Sequence, residues 1–159
     1  MMEGGWVLSL LTGLASGVVS SALTYFSTRS KIRLDMTVEY DKALHAKRLE
    51  LYKELWPKTK RLSRFDWHFA LTYNVVKSVA ADTREWYFGE GGIYLSRRSR
   101  KPYFHLKELL QKVLDNKELE AASEAAIKDE PICEAIVNAA HDLRTSLADD
   151  IGARRSPWL

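Results

Sequence analysis

The chain has 159 residues, which suits one compact domain of about 100–200 residues with a core that needs no disulfide staple. Its single cysteine, Cys133, excludes an internal disulfide and fits a reducing compartment. Lys and Arg outnumber Asp and Glu by 24 to 21, a net charge of +3 that is too small to define a class of partner, so the distribution of charge carries the information.

Residues 6–28 carry no charge and are predominantly apolar over 23 positions. A bilayer core needs about 20 such residues in a helix. Trp6 stands at one end and Tyr25 and Phe26 at the other, where aromatic rings favour the headgroup level. Arg29, Lys31 and Arg33 follow at once, whereas the leader, residues 1–5, carries only Glu3. The positive-inside rule then predicts a single-pass transmembrane helix over 6–28, with residues 1–5 outside and the rest of the chain in the cytoplasm. A buried core helix is one rival reading, and a cleaved signal peptide is another. A signal peptide calls for a basic leader and a shorter apolar run, and this leader is acidic.

The predicted span has two faces. Ser9, Gly13, Gly17 and Ser21 recur every four residues, and so do Thr12, Ser16, Ser20 and Thr24. On a helix the two rows lie side by side. Small residues let helices approach, and hydroxyls hydrogen-bond across them, so this face predicts association with copies of the same chain. The other reading is a plain anchor whose serines bond their own backbone. One helix cannot enclose a pore, so an ion path here requires a homo-oligomer with this face inward.

From Lys31 to Trp56 no breaker interrupts the chain. Leu44, Leu49, Tyr52, Leu55 and Trp56 recur with helical spacing, and Pro57 ends or kinks the helix. Residues 29–64 read as a juxtamembrane stalk helix. They hold eleven Lys/Arg against five Asp/Glu, and Lys58, Lys60, Arg61 and Arg64 lie too far along the chain for the positive-inside signal to explain. The remainder, 65–159, reads as a cytosolic helical domain packing with 35–64. Its first helix is expected over Asp66–Arg84, with Asp66 as N-cap and Phe69, Tyr73, Val76 and Ala80 on one face. Gly89, Gly91 and Gly92 then mark a tight turn or flexible loop, with Trp86, Tyr87 and Phe88 closing the core over it.

Arg97, Arg98, Arg100 and Lys101 place four positive residues in five positions. An amphipathic helix follows, with Leu106, Leu109, Leu110, Val113 and Leu114 as its stripe, Ser99 as N-cap and Pro102 in the first turn. Positive side chains at a helix start oppose its macrodipole, and an anion there relieves the repulsion. The cluster reads either as a phosphate or nucleic-acid contact, or as an exposed basic segment that touches nothing or touches anionic lipid. Residues 115–130 reverse the sign, with six acidic residues against two basic, and read as a surface helix or loop. A last helix runs from Pro131 at its first position to about Ile151, on the stripe Ile132, Ile136, Ala139, Ala140, Leu143 and Leu147, and stops before Gly152. Trp158 follows in the tail. The fold class expected is all-α: one N-terminal transmembrane helix followed by a cytosolic helical bundle.

No enzymatic motif is present. His45, His68, His105 and His141 lack metal-ligand spacing, and no cofactor or metal is expected. His105 is placed near the stripe of its helix. Asp149 and Asp150 are consecutive on a helix and point about 100° apart, so they do not form a carboxylate pair; Arg144 is expected to bridge locally to them. Cys133 is read as a structural thiol.

The run Arg48–Trp56, the segments Trp86-Tyr87-Phe88 and Gly91–Ser96, and the run Leu143–Gly152 resemble a widespread, uncharacterised bacterial family of small membrane-anchored helical proteins. That family brings no activity with it. The layout of span and helical module also resembles transmembrane effectors of anti-phage defence, of Hailong type or with cyclic oligonucleotides as signals. The resemblance implies a bacterial inner-membrane location, a nucleotidyltransferase partner and an oligonucleotide signal.

Residues and layout together predict a homo-oligomeric membrane effector, an ion channel controlled by an anionic nucleotide or nucleic-acid ligand. The ligand contacts expected are Arg97, Arg98, Arg100 and Lys101, then Lys58, Lys60, Arg61 and Arg64. The alternative is a membrane-tethered scaffold that recruits a protein partner and has no pore.

Overall fold

A computed structural model describes the backbone over residues 5–63 and 70–153, and the side chains over 24–63 and 70–153. The described chain is all-α, and its one β feature is an isolated antiparallel bridge between Thr72 and Ala126. Helix α1 runs Gly5–Lys58 and is followed by a 3₁₀ turn, Lys60–Leu62. Helix α2 is Tyr73–Trp86. A π-helical turn, Tyr87–Gly91, leads into the single turn α3, Gly92–Tyr94. Then come α4, Arg97–Leu114, the short α5, Lys117–Ala121, and α6, Glu130–Asp150.

Among the described residues no helix is long and apolar enough to cross a membrane. Most of the expected span falls on 6–23, whose side chains lie outside the described residues, as do Ser9, Thr12, Gly13, Ser16, Gly17, Ser20 and Ser21 of its small-residue face. Thr24 is described and exposed. Trp158 and the rest of 154–159 also lie outside.

The chain divides into two compact units, Met1–Ala43 and Leu44–Leu159. Taken by itself, the described part of the first is helix, and every side chain from 24 to 43 is exposed. The second unit holds the core. Leu51, Tyr52 and Leu55 of α1 contribute to it, with Val76 and Val79 of α2, Leu106 and Leu110 of α4, and Ile136, Leu143 and Leu147 of α6. Helix α4 packs on both α6 and α2. The stripes of α4 and α6 are those the apolar periodicity predicts. Trp56 is not a core residue: it stays 46% exposed, while Leu51 is buried in its stead.

Several expectations need correction. Helix α2 starts at Tyr73, and Ala70 to Thr72 are not helical. Their backbone is engaged elsewhere: the Ile127 amide donates to the Leu71 carbonyl at 2.9 Å, and Thr72 bridges to Ala126. Thr72 is the N-cap, accepting from the Val75 amide at 3.3 Å, while Asp66 and Phe69 lie outside the described residues.

The glycine segment is helical. Gly91 and Gly92 have φ of −57° and −64°, so conformational freedom is not what they supply. They supply space. A Cβ on Gly91 would collide with the Trp86 indole, and one on Gly92 would lie 2.7 Å from the Tyr87 carbonyl oxygen. The π turn seats the Trp86 ring against backbone, and the indole N–H donates to the Leu51 carbonyl at 2.9 Å. Of the three aromatics expected to close the core here, Trp86 is buried, Tyr87 is half-buried and Phe88 is 72% exposed.

Helix α4 starts three residues earlier than expected, with Ser96 and not Ser99 as its N-cap. Ser96 Oγ accepts from the Ser99 amide at 3.0 Å. Pro102 therefore sits inside the helix, beyond its first turn. His105 is exposed, because it lies about 200° round α4 from the buried Tyr103.

The last helix behaves as its sequence predicts, shifted by one residue at its start. Asp129 caps it by accepting from the Ile132 amide, and Pro131 is its second residue. Gly152, at φ +67°, ends it in the left-handed conformation that glycine tolerates best. The Ala153 amide reaches back to the Ala148 carbonyl at 3.0 Å.

Candidate functional site

The earlier start of α4 changes what its basic cluster is. Arg97, Arg98, Arg100 and Lys101 occupy the first two turns of a helix, and all four are exposed. Successive helical residues point about 100° apart, so the four side chains fan out around the axis. Ser99 lies among them and is wholly buried.

Ser99 Oγ donates to Asp150 Oδ2 at 2.6 Å, and the Tyr52 hydroxyl donates to the same oxygen at 3.1 Å. The Ser96 amide in turn donates to the Tyr52 hydroxyl at 3.4 Å. Burial is the first cause that pushes the Tyr52 pKa up to about 12, so the phenol stays a neutral donor. Arg98 pairs with Asp149 at 2.7 Å. Asp149 and Asp150 thus point to different partners, as their spacing predicts. Arg144 bridges to neither. It donates to the Thr59 carbonyl at 3.0 Å, behind the end of α1, as a second donor beside the Leu62 amide.

Of the four cluster cations, Arg98 is neutralised by Asp149. Arg97, Arg100 and Lys101 have no ion pair among the described residues. Three cations at a helix start are electrostatically unfavourable without a counter-charge.

The second basic set is dispersed. Lys58 and Arg61 line a hollow of about 610 Å³ together with Glu54 and Asp82, so its charge is mixed. Lys60 is exposed, and Arg64 lies outside the described residues. No hydrogen bond or ion pair among the described residues joins the two basic sets.

A third feature was not anticipated. Helices α2 and α4 flank a hollow of about 780 Å³, within the roughly 300–1,000 Å³ typical of small-molecule sites. Tyr87 and Tyr103 stack at 5.0 Å between centroids, and Phe104 meets Tyr87 edge-on at 5.6 Å. The Tyr103 hydroxyl donates to the Thr83 carbonyl at 2.9 Å, which fixes the pair. Phe88 meets Tyr87 edge-on at 5.4 Å and stands exposed at the rim. Arg84 lies 5.9 Å from the Phe88 ring and Lys107 lies 5.8 Å from the Phe104 ring. Lys77, over the Tyr73 ring, also lines the hollow, and Glu85 is its one carboxylate among the described residues. A signal for it exists in the sequence: each of Tyr73, Phe88 and Phe104 has a cation three or four residues away, which is the helical spacing for contact.

Among the described residues no group of three or more His, Cys, Asp or Glu side chains is arranged to hold a metal ion. Burial pushes the Cys133 thiol pKa up, and Asp129 and Glu130 push it further, so the thiolate form is disfavoured. Compared with models of protein families, with curated proteins and with solved structures, the chain matches none.

Proposed function

We propose that this chain is a homo-oligomeric membrane effector. Residues 6–28 cross a bacterial inner membrane with the N-terminus outside, and the spans associate through the Ser, Gly and Thr face to form an ion-conducting path. The helical domain, on the cytoplasmic side, binds an anionic nucleotide or nucleic acid, and binding controls the path. A ligand acts in this way only if its affinity differs between the open and closed states.

The observation that carries the ligand part of this reading is the exposed trio Arg97, Arg100 and Lys101 at the start of α4. The trio opposes the helix dipole, and a phosphate group there is attracted by the side chains and by the helix terminus together. The membrane part rests on the uncharged stretch 6–28 and the basic residues that follow it. The likeness of layout to anti-phage effectors supplies the cellular setting and makes a nucleotidyltransferase the source of the ligand.

Full-length protein in liposomes is expected to leak ions when an oligonucleotide is added. Absence of conductance with and without oligonucleotide, together with a Gly13→Leu variant whose toxicity to cells is unchanged, overturns the channel. A second reading, a membrane-tethered scaffold without a pore, is favoured by Ile93, an apolar side chain that is 79% exposed on α3. Recovery from membranes of one stoichiometric protein and no nucleic acid selects the scaffold.

A further inference from the structure

The aromatic hollow between α2 and α4 combines two features that few ligands satisfy together. Its wall is a fixed set of rings, Tyr87 stacked on Tyr103 with Phe104 set edge-on, and Phe88 stands exposed at its rim. Its lining also holds three cations, Lys77, Arg84 and Lys107, against one carboxylate, Glu85. An apolar peptide would use the rings and gain nothing from three cations. An acidic peptide or a bare phosphate would use the cations and leave the rings idle. A nucleotide uses both, since every base offers a π-face to an aromatic side chain and carries its own anion.

We infer that this hollow seats a nucleobase against the aromatic wall, with the attached phosphate held by Lys107 and Arg84 at the rim. The inference rests on the nucleotide or nucleic-acid reading above and moves the selective contact away from the start of α4. In this arrangement Arg97, Arg100 and Lys101 attract the anion without regard to its base, while Phe88, Tyr87 and Phe104 distinguish a nucleotide from other polyanions. Tyr103 and Tyr87 are held in place before any ligand arrives, by the Tyr103 to Thr83 hydrogen bond and their mutual stacking, so little ordering of this part of the wall is required on binding.

The test uses the full-length protein in detergent and a fluorescent single-stranded oligonucleotide of about ten nucleotides. Phe88→Ala is expected to weaken binding about ten-fold, since stacking contributes strongly per base. Lys107→Gln is expected to weaken it and to lower the slope of log affinity against log salt by about 0.7. Both side chains are outside the core, and an unchanged helical circular-dichroism spectrum excludes misfolding. Competition separates the two sources of the ligand. A free mononucleotide that displaces the probe marks a soluble nucleotide signal, whereas displacement by unlabelled strand alone marks one unit of a longer chain; both support the seat.

Inorganic tripolyphosphate that competes as well as a nucleoside triphosphate overturns it, because the base then contributes nothing. Affinity untouched by Phe88→Ala and Lys107→Gln but lost on Arg97→Glu with Arg100→Glu overturns the seat and leaves the proposed function standing. No binding of any nucleotide or strand, or capture of a protein in this hollow, overturns both.

Discussion

Ser99 Oγ donates to Asp150 Oδ2 at 2.6 Å and so joins the first turn of α4 to the last turn of α6. The same carboxylate oxygen accepts from Tyr52 of α1, so three helices meet on one atom in a place where Ser99 and Tyr52 are almost fully buried. Removing the acceptor strands two buried donors, and an unmet buried donor costs more than a hydrogen bond contributes. Asp150→Ala is therefore expected to destabilise the full-length protein by about 2–3 kcal/mol. Ser99→Ala, which leaves Asp150 with Tyr52, is expected to cost about 1 kcal/mol. Asp149→Ala removes only a pair whose arginine is 60% exposed, and is expected to cost less than about 1 kcal/mol. Thermal unfolding of the three variants checks the order. Equal losses at Asp149 and Asp150 would show that the buried junction has no special weight.

Gly91 and Gly92 lie against the Trp86 indole and the Tyr87 backbone and ring, where no Cβ fits. Gly91→Ala and Gly92→Ala are each expected to cost about 1–3 kcal/mol through forced displacement of packed rings. Gly89 sits in the same π turn, and a Cβ there would meet nothing within 4 Å. Gly89→Ala is expected to be neutral or to stabilise by about 0.4–1 kcal/mol, because it restricts the unfolded chain. Denaturation midpoints decide the matter, and a flexible-loop role for the glycines predicts similar effects at all three positions.

These two sites also show what a local pattern can and cannot reveal. The stripes of α4 and α6 were legible because Leu106, Leu109, Leu110 and Val113, and Ile136, Leu143 and Leu147, repeat at helical spacing, and a helix buries whichever face is apolar. The stop at Gly152 was legible for a similar reason, since the cap is local. The choice between Ser96 and Ser99 was not. Both are serines beside arginines, and what separates them is an aspartate 51 positions away from Ser99. Three glycines in four positions read as a turn, because the ring that demands their missing Cβ is a matter of packing. The start of α2 escaped for the same reason: Leu71 and Thr72 are taken by residues 126 and 127. At the candidate site, the basic cluster was visible as composition. That Asp149 neutralises Arg98, and that Phe88 faces outward at a hollow rather than into the core, depend on the tertiary fold.

Alkaline pH offers a test of the buried phenols. Burial is the main cause that raises Tyr103 from its usual value near 10 to about 12, with Tyr87 adding to it, and Tyr52 is raised to about 12 as well. A raised folded-state pKa means that the unfolded chain loses the proton first. The stabilisation is complete below pH 10 and is lost as pH climbs from about 10 to about 12. Tyr103→Phe is expected to cost about 1 kcal/mol at neutral pH, through the lost bond to the Thr83 carbonyl. It should also flatten the decline of stability over the alkaline window. Stability followed against pH for both proteins checks this, and parallel curves would count against a buried neutral phenol at 103.

The pair between Arg98 and Asp149 sets an electrostatic expectation at the start of α4. Asp149 lies 2.7 Å from one of the four cations and offsets its charge, while Arg97, Arg100 and Lys101 have no ion pair among the described residues. If that end of α4 attracts an anionic strand, Arg98→Ala is the mildest of the four truncations, because the charge it removes was already offset. Asp149→Asn acts in the opposite direction: it frees Arg98 for phosphate, tightens binding, and steepens the salt dependence of log affinity by about 0.7 for a single strand. Arg100→Ala should weaken binding and make that slope shallower by a similar amount. Titration of the full-length protein with a fluorescent oligonucleotide across a salt series reads both quantities. A salt slope unmoved by Asp149→Asn and by Arg100→Ala would place the anion elsewhere and remove the cluster from the ligand path, since freeing one cation and deleting another must register wherever a phosphate lies close to both.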